Sequence, residues 1–561
     1  MAATPFARLA ELGEQLEATS KRGELAALLA AFLKELAPDE VPSAVRLVIG
    51  HVFPEWDERT MNVSWKALTG IVDGMVDAGP EVREAVSAGA VDGGEYVQRL
   101  LEAGRRESPA EPALTIQEVF HTFEEIAATE GRGSRGRKEA LLAGLFRRAT
   151  DLEAKVLAKI IYQDMRHGVN EGIMLDGIAQ AAGVPNRLVR RANQLWGDLG
   201  EVALVALGEG QEGLKRAGVR LFRPLKPMLA QTAETLDEAF ERYGSEFALE
   251  YKMDGARVQI HRQGDEVRIY SRNLAEVTGS LPDVAGEVRR KLAAREAVLD
   301  GEAVAVDTAG RPLPFQHLMR RFRRKHALDD TVASIPVRLH LFDALYLDGQ
   351  PLVDRPYDER WAALEQAAGD LSLVPRLIPA SEDEGRAFAE AARLEGHEGL
   401  MAKELGSSYN PGVRGKSWLK LKHVLSLDLA IVAAEWGYGR RHGWLSNYHL
   451  AARDERSGDY LVVGKTFKGL TDTQFREMTE RLLALERARR GNVVFVHPQV
   501  VVEVLFNEIQ ESTLYPSGLA LRFARIAHLR EDKAVEEVDT IQALRRIYDQ
   551  QFDFKGRLKA G

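Results

Sequence analysis

The 561-residue chain contains no cysteine. This absence excludes disulfide bonds, thiolate nucleophiles, cysteine-based zinc fingers and iron–sulfur clusters. The sequence also lacks any apolar run near the roughly 20 residues that a membrane-spanning helix needs, and its first residues show no signal-peptide pattern. We therefore expect a cytoplasmic protein that works without a membrane.

An excess of positive charge is also missing, because the formal net charge is −9 at pH 7. This balance does not by itself indicate a polyanion-binding protein, although clustered basic residues can bind polyanions within an acidic chain. The hydrophobic fraction of 45% and the charged fraction of 28% are typical of globular proteins. A chain of this length is too long for one core and implies roughly three or four domains.

Residues 1–212 are predicted to form an all-α domain, because apolar residues recur at helical spacing. The clearest helical patterns lie in residues 22–36, 139–157 and 173–181. Residues 130–138 (EGRGSRGRK) are predicted as a glycine-rich basic loop before a helix that begins near Glu139. Such a loop suits a phosphate. The alternative is a solvated linker, because charge runs are usually solvated.

The pattern changes to short strands mixed with helices after this region. Residues 213–424 are predicted to form an α+β domain, and residues 425–561 a small β-barrel of the oligonucleotide-binding (OB) kind with one helix between its strands. The predicted strands of the two domains lie at residues 257–261, 267–271, 297–306, 337–347, 399–403, 417–422, 428–434, 449–453, 460–463 and 500–506. The helices of the last domain are predicted at residues 472–485 and 540–551.

The most informative stretch is residues 249–257 (LEYKMDGAR), which sets one lysine between two carboxylates. Read as a strand, it places Glu250, Lys252 and Asp254 on one face and apolar side chains on the other. Apolar flanks argue against a fully exposed strand. A lysine in a partly dry polar pocket can lose its proton and act as an amine nucleophile. Lys252 is therefore the first candidate for covalent chemistry.

Other predicted strands repeat one polar face over one apolar face. Lys420 and Lys422 share a face with Trp418 and could bind phosphate, or could simply protect an edge strand. Three carboxylates could hold Mg²⁺ together with substrate phosphates, or could be surface groups. Phe342 is by default a core aromatic residue. The three carboxylates are Asp300, Glu302 and Glu398.

Residues 252–257 (KMDGAR) match the K-x-D-G-x-R signature of the covalent nucleotidyltransferases, which include DNA ligases, RNA ligases and mRNA capping enzymes. The other segments follow in the order of that family. Residues 222–230 (FRPLKPMLA) look like its entry into the nucleotide-binding domain, and residues 409–415 (YNPGVRG) resemble the stretch before its last motif strand. Over nearly its whole length, the chain resembles a bacterial ATP-dependent DNA ligase with an N-terminal helical DNA-binding domain.

The resemblance implies that Lys252 attacks the α-phosphate of ATP and carries AMP to the 5′-phosphate of a nick, with Asp254 assisting the sealing step. It implies Mg²⁺, with Mn²⁺ as an alternative, at Glu302 and Glu398. Nicked duplex DNA would be encircled by a monomer in the bacterial cytoplasm at the nucleoid. The residues expected to contact the nucleotide are Glu250, Arg257, Arg272, Glu302, Phe342, Arg414, Lys420, Lys422, Arg530 and Lys533. Those expected to contact DNA are Arg132, Arg135, Arg137 and Lys138.

Residues 522–533 (RFARIAHLREDK) resemble the terminal motif that closes over ATP in such ligases. Ala524 stands where proline is common and His528 where a further arginine is frequent, so the end of this segment carries the likeness better than its middle. An NAD-dependent ligase usually has a four-cysteine zinc site, which this chain lacks. A capping enzyme or an RNA ligase usually lacks the long helical domain. The remaining alternative is a DNA-binding protein without catalytic activity.

Overall fold

The computed structural model describes residues 3–323, 335–422 and 425–555. Its first part is helical, as predicted, and a helix start is often fixed by a side chain that caps free N–H groups. Thr115 and Thr150 both begin helices with a capping box. The helices of this part are α1 (Phe6–Glu17), α2 (Arg22–Glu35), α3 (Val41–Val48), α4 (Trp65–Asp73), α5 (Pro80–Gly89), α6 (Gly93–Gly104), α7 (Ile116–Ala128), α8 (Ser134–Arg148), α9 (Asp151–Tyr162), α10 (Glu171–Ala182), α11 (Asn186–Trp196) and α12 (Leu199–Lys215).

The structure differs from the helical prediction in three details. The pattern over residues 139–157 belongs to two helices, because Thr150 caps a new helix after α8 has ended. The basic segment is a loop only as far as Gly133, whose φ of 78° starts α8 at Ser134. The helical region also continues past the glycine-rich stretch at residues 207–213, with a kink at Gly210.

The middle of the chain forms two five-stranded sheets flanked by helices. The first sheet has the order β1-β10-β9-β2-β8, and the second has the order β4-β3-β5-β6-β7. The strands are β1 (Leu229–Ala233), β2 (Phe247–Lys252), β3 (Ala256–Gln263), β4 (Glu266–Ser271), β5 (Glu296–Ala305), β6 (Val337–Leu347), β7 (Gln350–Pro351), β8 (Arg376–Leu377), β9 (Gly399–Glu404) and β10 (Arg414–Lys422). The helices are α13 (Asp237–Tyr243), α14 (Pro282–Lys291), α15 (Phe315–Arg323), α16 (Tyr357–Ala368) and α17 (Glu382–Leu394).

The chain crosses from one sheet to the other at the lysine. β2 of the first sheet ends at Lys252, and β3 of the second begins at Ala256. Gly255 is required in this crossing, because a Cβ there would lie 2.4 Å from the carbonyl oxygen of Ala303. The crossing therefore places Lys252 where the two sheets face each other, and Asp254 lies in the turn rather than on the face of a strand.

The last part of the chain is rich in strands. A six-stranded sheet runs β13-β12-β11-β15-β14, with β18 also pairing with β15, and β16 and β17 form a separate pair. Among the described residues no pairing joins β13 to β14 or β18, so closure into a barrel stays a prediction. The elements are β11 (Leu425–Trp436), β12 (Leu445–Arg453), β13 (Tyr460–Thr466), α18 (Asp472–Ala484), β14 (Glu486–Arg490), β15 (Val493–Phe506), β16 (Glu508–Glu511), β17 (Leu519–Arg522), β18 (Arg525–Leu529) and α19 (Ile541–Phe554).

The buried apolar side chains do not divide equally among the three parts. One contiguous core runs from the helical region through both middle sheets, from Phe6 to Leu419. The strand-rich part has its own core, built around residues such as Ile431, Val502 and Phe475. The C-terminal part is thus a separately packed body that contacts the middle part. Nowhere in the described chain is a helix both long and apolar enough to cross a membrane.

Candidate active site

A cavity of about 610 Å³ lies between the two middle sheets and contains the end of β2 in its wall. The C-terminal part closes one side of it with Arg522 and Phe523. Nine of the residues predicted to meet the nucleotide or a metal line this one cavity. They are Glu250, Lys252, Arg257, Arg272, Glu302, Phe342, Glu398, Arg414 and Lys420.

Lys252 is the nucleophile candidate within this cavity. Its Nζ forms an ion pair with Glu398, the residue immediately before β9. The side chain of Lys252 keeps 22% of its surface exposed, so the amine stays accessible to a ligand. Burial raises the pKa of the nearby Glu302 to about 8, against the opposing charges of Lys252 and Arg257. The lysine therefore has one carboxylate partner and a second carboxyl group that is largely protonated at neutral pH.

One end of the cavity, which we call the closed end, is lined by Glu250, Lys403, Phe342 and Trp418 and is built around a buried ion pair. Glu250 lies 2.7 Å from Lys403 Nζ and also accepts a hydrogen bond from the Tyr357 hydroxyl. The ammonium of Lys403 lies 4.6 Å from the ring centroid of Phe342 and 4.4 Å from that of Trp418. Cation–π contacts of this kind stabilise a desolvated ammonium group. This end offers aromatic faces beside a fixed carboxylate, which is the chemistry that a purine base needs.

Arg257 is held rigidly in the cavity wall. Its guanidinium donates to the carbonyl of Met228 at 2.6 Å, to Asp300 at 2.6 Å and to the Tyr409 hydroxyl at 3.0 Å. It also lies 5.3 Å from the Phe342 ring centroid. Asp300, one of the three carboxylates considered for Mg²⁺, does not line the cavity, and both of its carboxylate oxygens accept hydrogen bonds from side chains.

Asp254 does not line the cavity, contrary to the expectation that it shares a face with Lys252. It is 2% exposed and turned toward the C-terminal part. Lys555 Nζ lies 2.8 Å from Asp254 and 2.9 Å from Glu508, and Arg522 lies 3.5 Å and 3.2 Å from the same two carboxylates. Burial raises the pKa of Asp254, and Lys555 opposes that shift. Two cations and two carboxylates thus join the C-terminal part to the turn after the lysine.

Two predicted nucleotide contacts lie elsewhere. Arg530 contacts Asp428 through both carboxylate oxygens, at 3.0 Å and 2.8 Å, and Lys533 lies 2.5 Å from the same residue. Neither lines the cavity in this arrangement. The backbone of Lys422 continues β10, but its side chain lies outside the described residues.

The acidic groups do not by themselves form a metal centre. Within the described ranges, no three His, Cys, Asp or Glu side chains are grouped closely enough to hold a metal ion. Glu302 and Glu398 nevertheless lie in the same cavity beside Lys252. Mg²⁺ is commonly held by one or two carboxylates together with substrate phosphates and water, so this pair fits a cation that arrives with a nucleotide.

The basic segment of the helical region lies at the start of α8. Arg132 is exposed, and Arg135 pairs with Glu139 at 2.8 Å. Arg137 donates to the backbone carbonyls of Arg132 and Glu130, and Lys138 donates to the carbonyl of Met61. These contacts order the segment without neutralising its charge, except at Arg135. Phosphate binding by these cations beside a helix N-terminus stays a prediction.

Sequence reasoning missed several residues of the site. Lys403 carried a signal, because a lysine ends the otherwise apolar run of β9, and a buried lysine needs a charged partner. Tyr409 lies inside a motif that was recognised, but its contacts with Arg257 and Asp300 leave no pattern in the sequence. Lys555 gave no signal, because only tertiary packing brings the end of the chain to Asp254.

The fold and the site together define the class of protein. Two facing sheets enclose a nucleotide-sized cavity with a lysine in its wall and cations around it, an arrangement suited to a nucleotide-transferring enzyme.

Comparison with known proteins identifies the family within that class. Residues 5–179 match the model "DNA ligase N terminus", residues 227–422 match "ATP dependent DNA ligase domain", and residues 441–533 match "ATP dependent DNA ligase C terminal region". The chain is 46% identical over 551 residues to "DNA ligase 1" of Korarchaeum cryptofilum, covering 97% of this chain and 98% of that protein. It is 44% identical to the "Probable DNA ligase" of Anaeromyxobacter sp. (strain K), covering 97% and 99%.

A solved structure titled "Pmar-Lig_PreS3" shows the same fold, with a TM-score of 0.54 at 18% identity over 93% of this chain and 99% of that one. The chain therefore belongs to the ATP-dependent DNA ligase family. It is an enzyme that uses ATP to join DNA strands.

Proposed function

We propose that the enzyme seals nicks through a lysyl-AMP intermediate on Lys252. The observation that carries this proposal is the accessible amine of Lys252 in the wall of a 610 Å³ cavity that also holds its partner Glu398. In the first step the deprotonated Nζ attacks the α-phosphorus of ATP. A nitrogen–phosphorus bond forms, the bond to the β-phosphate oxygen breaks, and pyrophosphate leaves. Glu398 is placed to accept the proton of the ammonium group.

The next two steps transfer the activated phosphate to DNA. An oxygen of the 5′-phosphate attacks the adenylate phosphorus, the nitrogen–phosphorus bond breaks, and Nζ of Lys252 takes up a proton and leaves as the free amine. The 3′-hydroxyl then loses its proton and attacks the 5′-phosphorus, and AMP leaves as the strand is joined. Each step is a displacement at phosphorus, so positioning and charge neutralisation dominate the catalysis. Asp254 would assist the last step once its contacts with the C-terminal part are broken.

The residues of the cavity divide by chemistry. Glu250 and Phe342 would meet the adenine, because the closed end presents a carboxylate and aromatic faces. Arg257 would support the nucleotide through its fixed position. Three cations that line the cavity, Arg272, Arg414 and Lys420, would neutralise phosphates. Lys422 would do the same, as the family resemblance implies. Arg530 and Lys533 would reach the pyrophosphate only if the C-terminal part turned to face the cavity differently.

Mg²⁺ or Mn²⁺ would be held by Glu302 and Glu398 together with the phosphates of ATP. A bound divalent cation supplies charge neutralisation at the α-phosphate and the leaving pyrophosphate. Glu302 must lose its proton before it can serve as a ligand, because burial raises its pKa to about 8.

The partner is nicked duplex DNA, which a single copy of the chain would encircle. Residues 1–212 would grip the backbone as the helical domain, residues 213–424 would form the adenylation domain, and residues 425–561 the OB domain. Arg132, Arg135, Arg137 and Lys138 would contact phosphates without reading sequence. Such an enzyme would act at the nucleoid, in replication, repair or recombination.

Radiolabelling tests the proposal. The protein is incubated with Mg²⁺ and α-labelled ATP, GTP or NAD⁺, and a denaturing gel is examined for an acid-labile label. We expect label from ATP in the wild type and none in Lys252→Ala. Persistence of label in Lys252→Ala would refute the assignment of the nucleophile. A comparison of nicked DNA with nicked RNA then tests the substrate.

A further inference from the structure

The segment that joins the helical region to the middle sheets, residues 222–229, is tied to the helical region by two charged side chains, Lys226 and Arg223, the second of which pairs with Glu201 at 2.6 Å. We call it the linker segment. Lys226 Nζ lies 2.8 Å from Glu171 and 3.0 Å from Glu55, both of the helical region. Desolvation acts to lower the pKa of Lys226, but the hydrogen bonds and charges of Glu171 and Glu55 raise it overall. Lys226 is therefore a charged contact between the two parts.

The backbone of the same linker segment is fixed by side chains of the catalytic domain. Leu225 N–H donates to the Gln259 side-chain oxygen at 2.7 Å, and Met228 N–H donates to the Tyr409 hydroxyl at 3.1 Å. Both of these side chains donate in turn to Asp300, at 3.2 Å from Gln259 and 2.6 Å from Tyr409. The buried polar groups around Asp300 thus depend on where the linker segment lies.

The position of Arg257 depends on the same groups. Its three hydrogen-bond acceptors are the carbonyl of Met228, the carboxylate of Asp300 and the hydroxyl of Tyr409. Met228 and Leu229 themselves line the nucleotide cavity. Only a few residues of backbone therefore separate the carboxylates that hold Lys226 from the wall of the cavity.

We propose that Lys226 is a positioning residue, which transmits the docking of the helical region to the nucleotide cavity through the linker segment and Arg257. The inference rests on the lysyl-AMP step proposed above. Undocking at Lys226 would let Met228 move and would loosen Arg257, so ATP would bind more weakly. The attack by Lys252 would change little, because its ion pair with Glu398 is positioned by the pairing of β2 with β9.

The test measures the single-turnover rate of lysyl-AMP formation by the full chain against ATP concentration, without DNA. KM and kcat denote here the half-saturating ATP concentration and the maximal rate of that single turnover. Lys226→Glu should raise the KM for ATP about tenfold, within the usual range of coupling between sites, while kcat changes less than about twofold. Glu171→Lys should act similarly. The double variant Lys226→Glu/Glu171→Lys restores an opposite-charge pair and should return KM toward the wild-type value.

The structure offers a matched control. Arg191 of the helical region pairs with Asp354 of the catalytic domain, so Asp354→Lys breaks a contact between the same two parts away from the linker segment. It should leave the KM for ATP within about twofold of wild type, because additivity holds for separated sites. Lys226→Met, which keeps the length of the side chain, serves as a milder variant if Lys226→Glu fails to fold in a thermal melt.

Three results would each overturn the inference. The first is an unchanged KM for ATP in Lys226→Glu or Lys226→Met. The others are an equal rise of that KM in Asp354→Lys and no recovery of it in the double variant. A wild-type protein that forms no label would instead refute the lysyl-AMP step, so the two failures are distinguishable.

Discussion

Replacing Lys555 by methionine should release the C-terminal part from the catalytic domain. Lys555 neutralises Asp254 and Glu508, which are 2% and 7% exposed. Removing one partner of a buried ion cluster costs about 3–5 kcal/mol, because a charge is left without compensation. Arg522 remains within 3.5 Å of Asp254, so we expect the lower end, about 3 kcal/mol. That corresponds to a decrease of about 100-fold in the ratio of docked to undocked protein.

Small-angle scattering and a fluorescence pair placed across the two domains measure this ratio. Lys555→Met should increase the radius of gyration and lengthen the interdomain distance. Lys533→Met is a suitable control, because it removes an ion pair that lies wholly within the C-terminal part. An additional Glu508→Gln should reduce the effect by removing the carboxylate beside Asp254. If Lys555→Met scatters like the wild type, the cluster does not hold the domains together.

The effect of Lys555→Met should also depend on pH. Burial already raises the pKa of Asp254, and loss of Lys555 removes the charge that opposes this shift. A carboxyl group with a raised pKa is neutral below that value and needs no partner there. The domains of the variant should therefore separate less as the pH is lowered from 8 into the acid range. A separation that does not decrease on acidification would contradict this account of the cluster.

The other predictions concern DNA, metal and stability. Neutralising the basic segment should weaken DNA binding and reduce its salt dependence in filter-binding assays but spare lysyl-AMP formation, and equal loss of both activities would contradict the assignment. The Mg²⁺ concentration needed for lysyl-AMP formation should fall as pH rises through about 8, because Glu302 then loses its proton and can bind the cation. Titrations of the rate against Mg²⁺ measure this concentration, and Glu302→Gln should abolish its dependence on pH. Asp343→Asn should destabilise the catalytic domain by about 3 kcal/mol in urea unfolding, because it leaves the fully buried Arg360 unpaired, and an unchanged midpoint would refute this. The residues to be neutralised in the DNA-binding experiment are Arg132, Arg135 and Arg137.

The sequence alone determined the three-part architecture and the chemistry of the lysine. Runs rich in apolar residues predicted β5, β6 and β9 to within one residue at each end. β10 begins three residues earlier than predicted, at Arg414. Helix boundaries were less predictable. The interruption between α8 and α9 depends on the capping box formed by Thr150. The spacing of apolar residues does not predict such a local hydrogen bond.

Only the tertiary structure decided which polar residues meet. Lys252 and Glu398 are separated by 146 positions, yet they form an ion pair because β2 and β9 are neighbours in one sheet. Asp254 shares the lysine's signature but faces the C-terminal part, because β2 ends before it and the chain turns at Gly255. A sequence pattern records which side chains a reaction needs. Burial, register and domain docking decide where each of those side chains points.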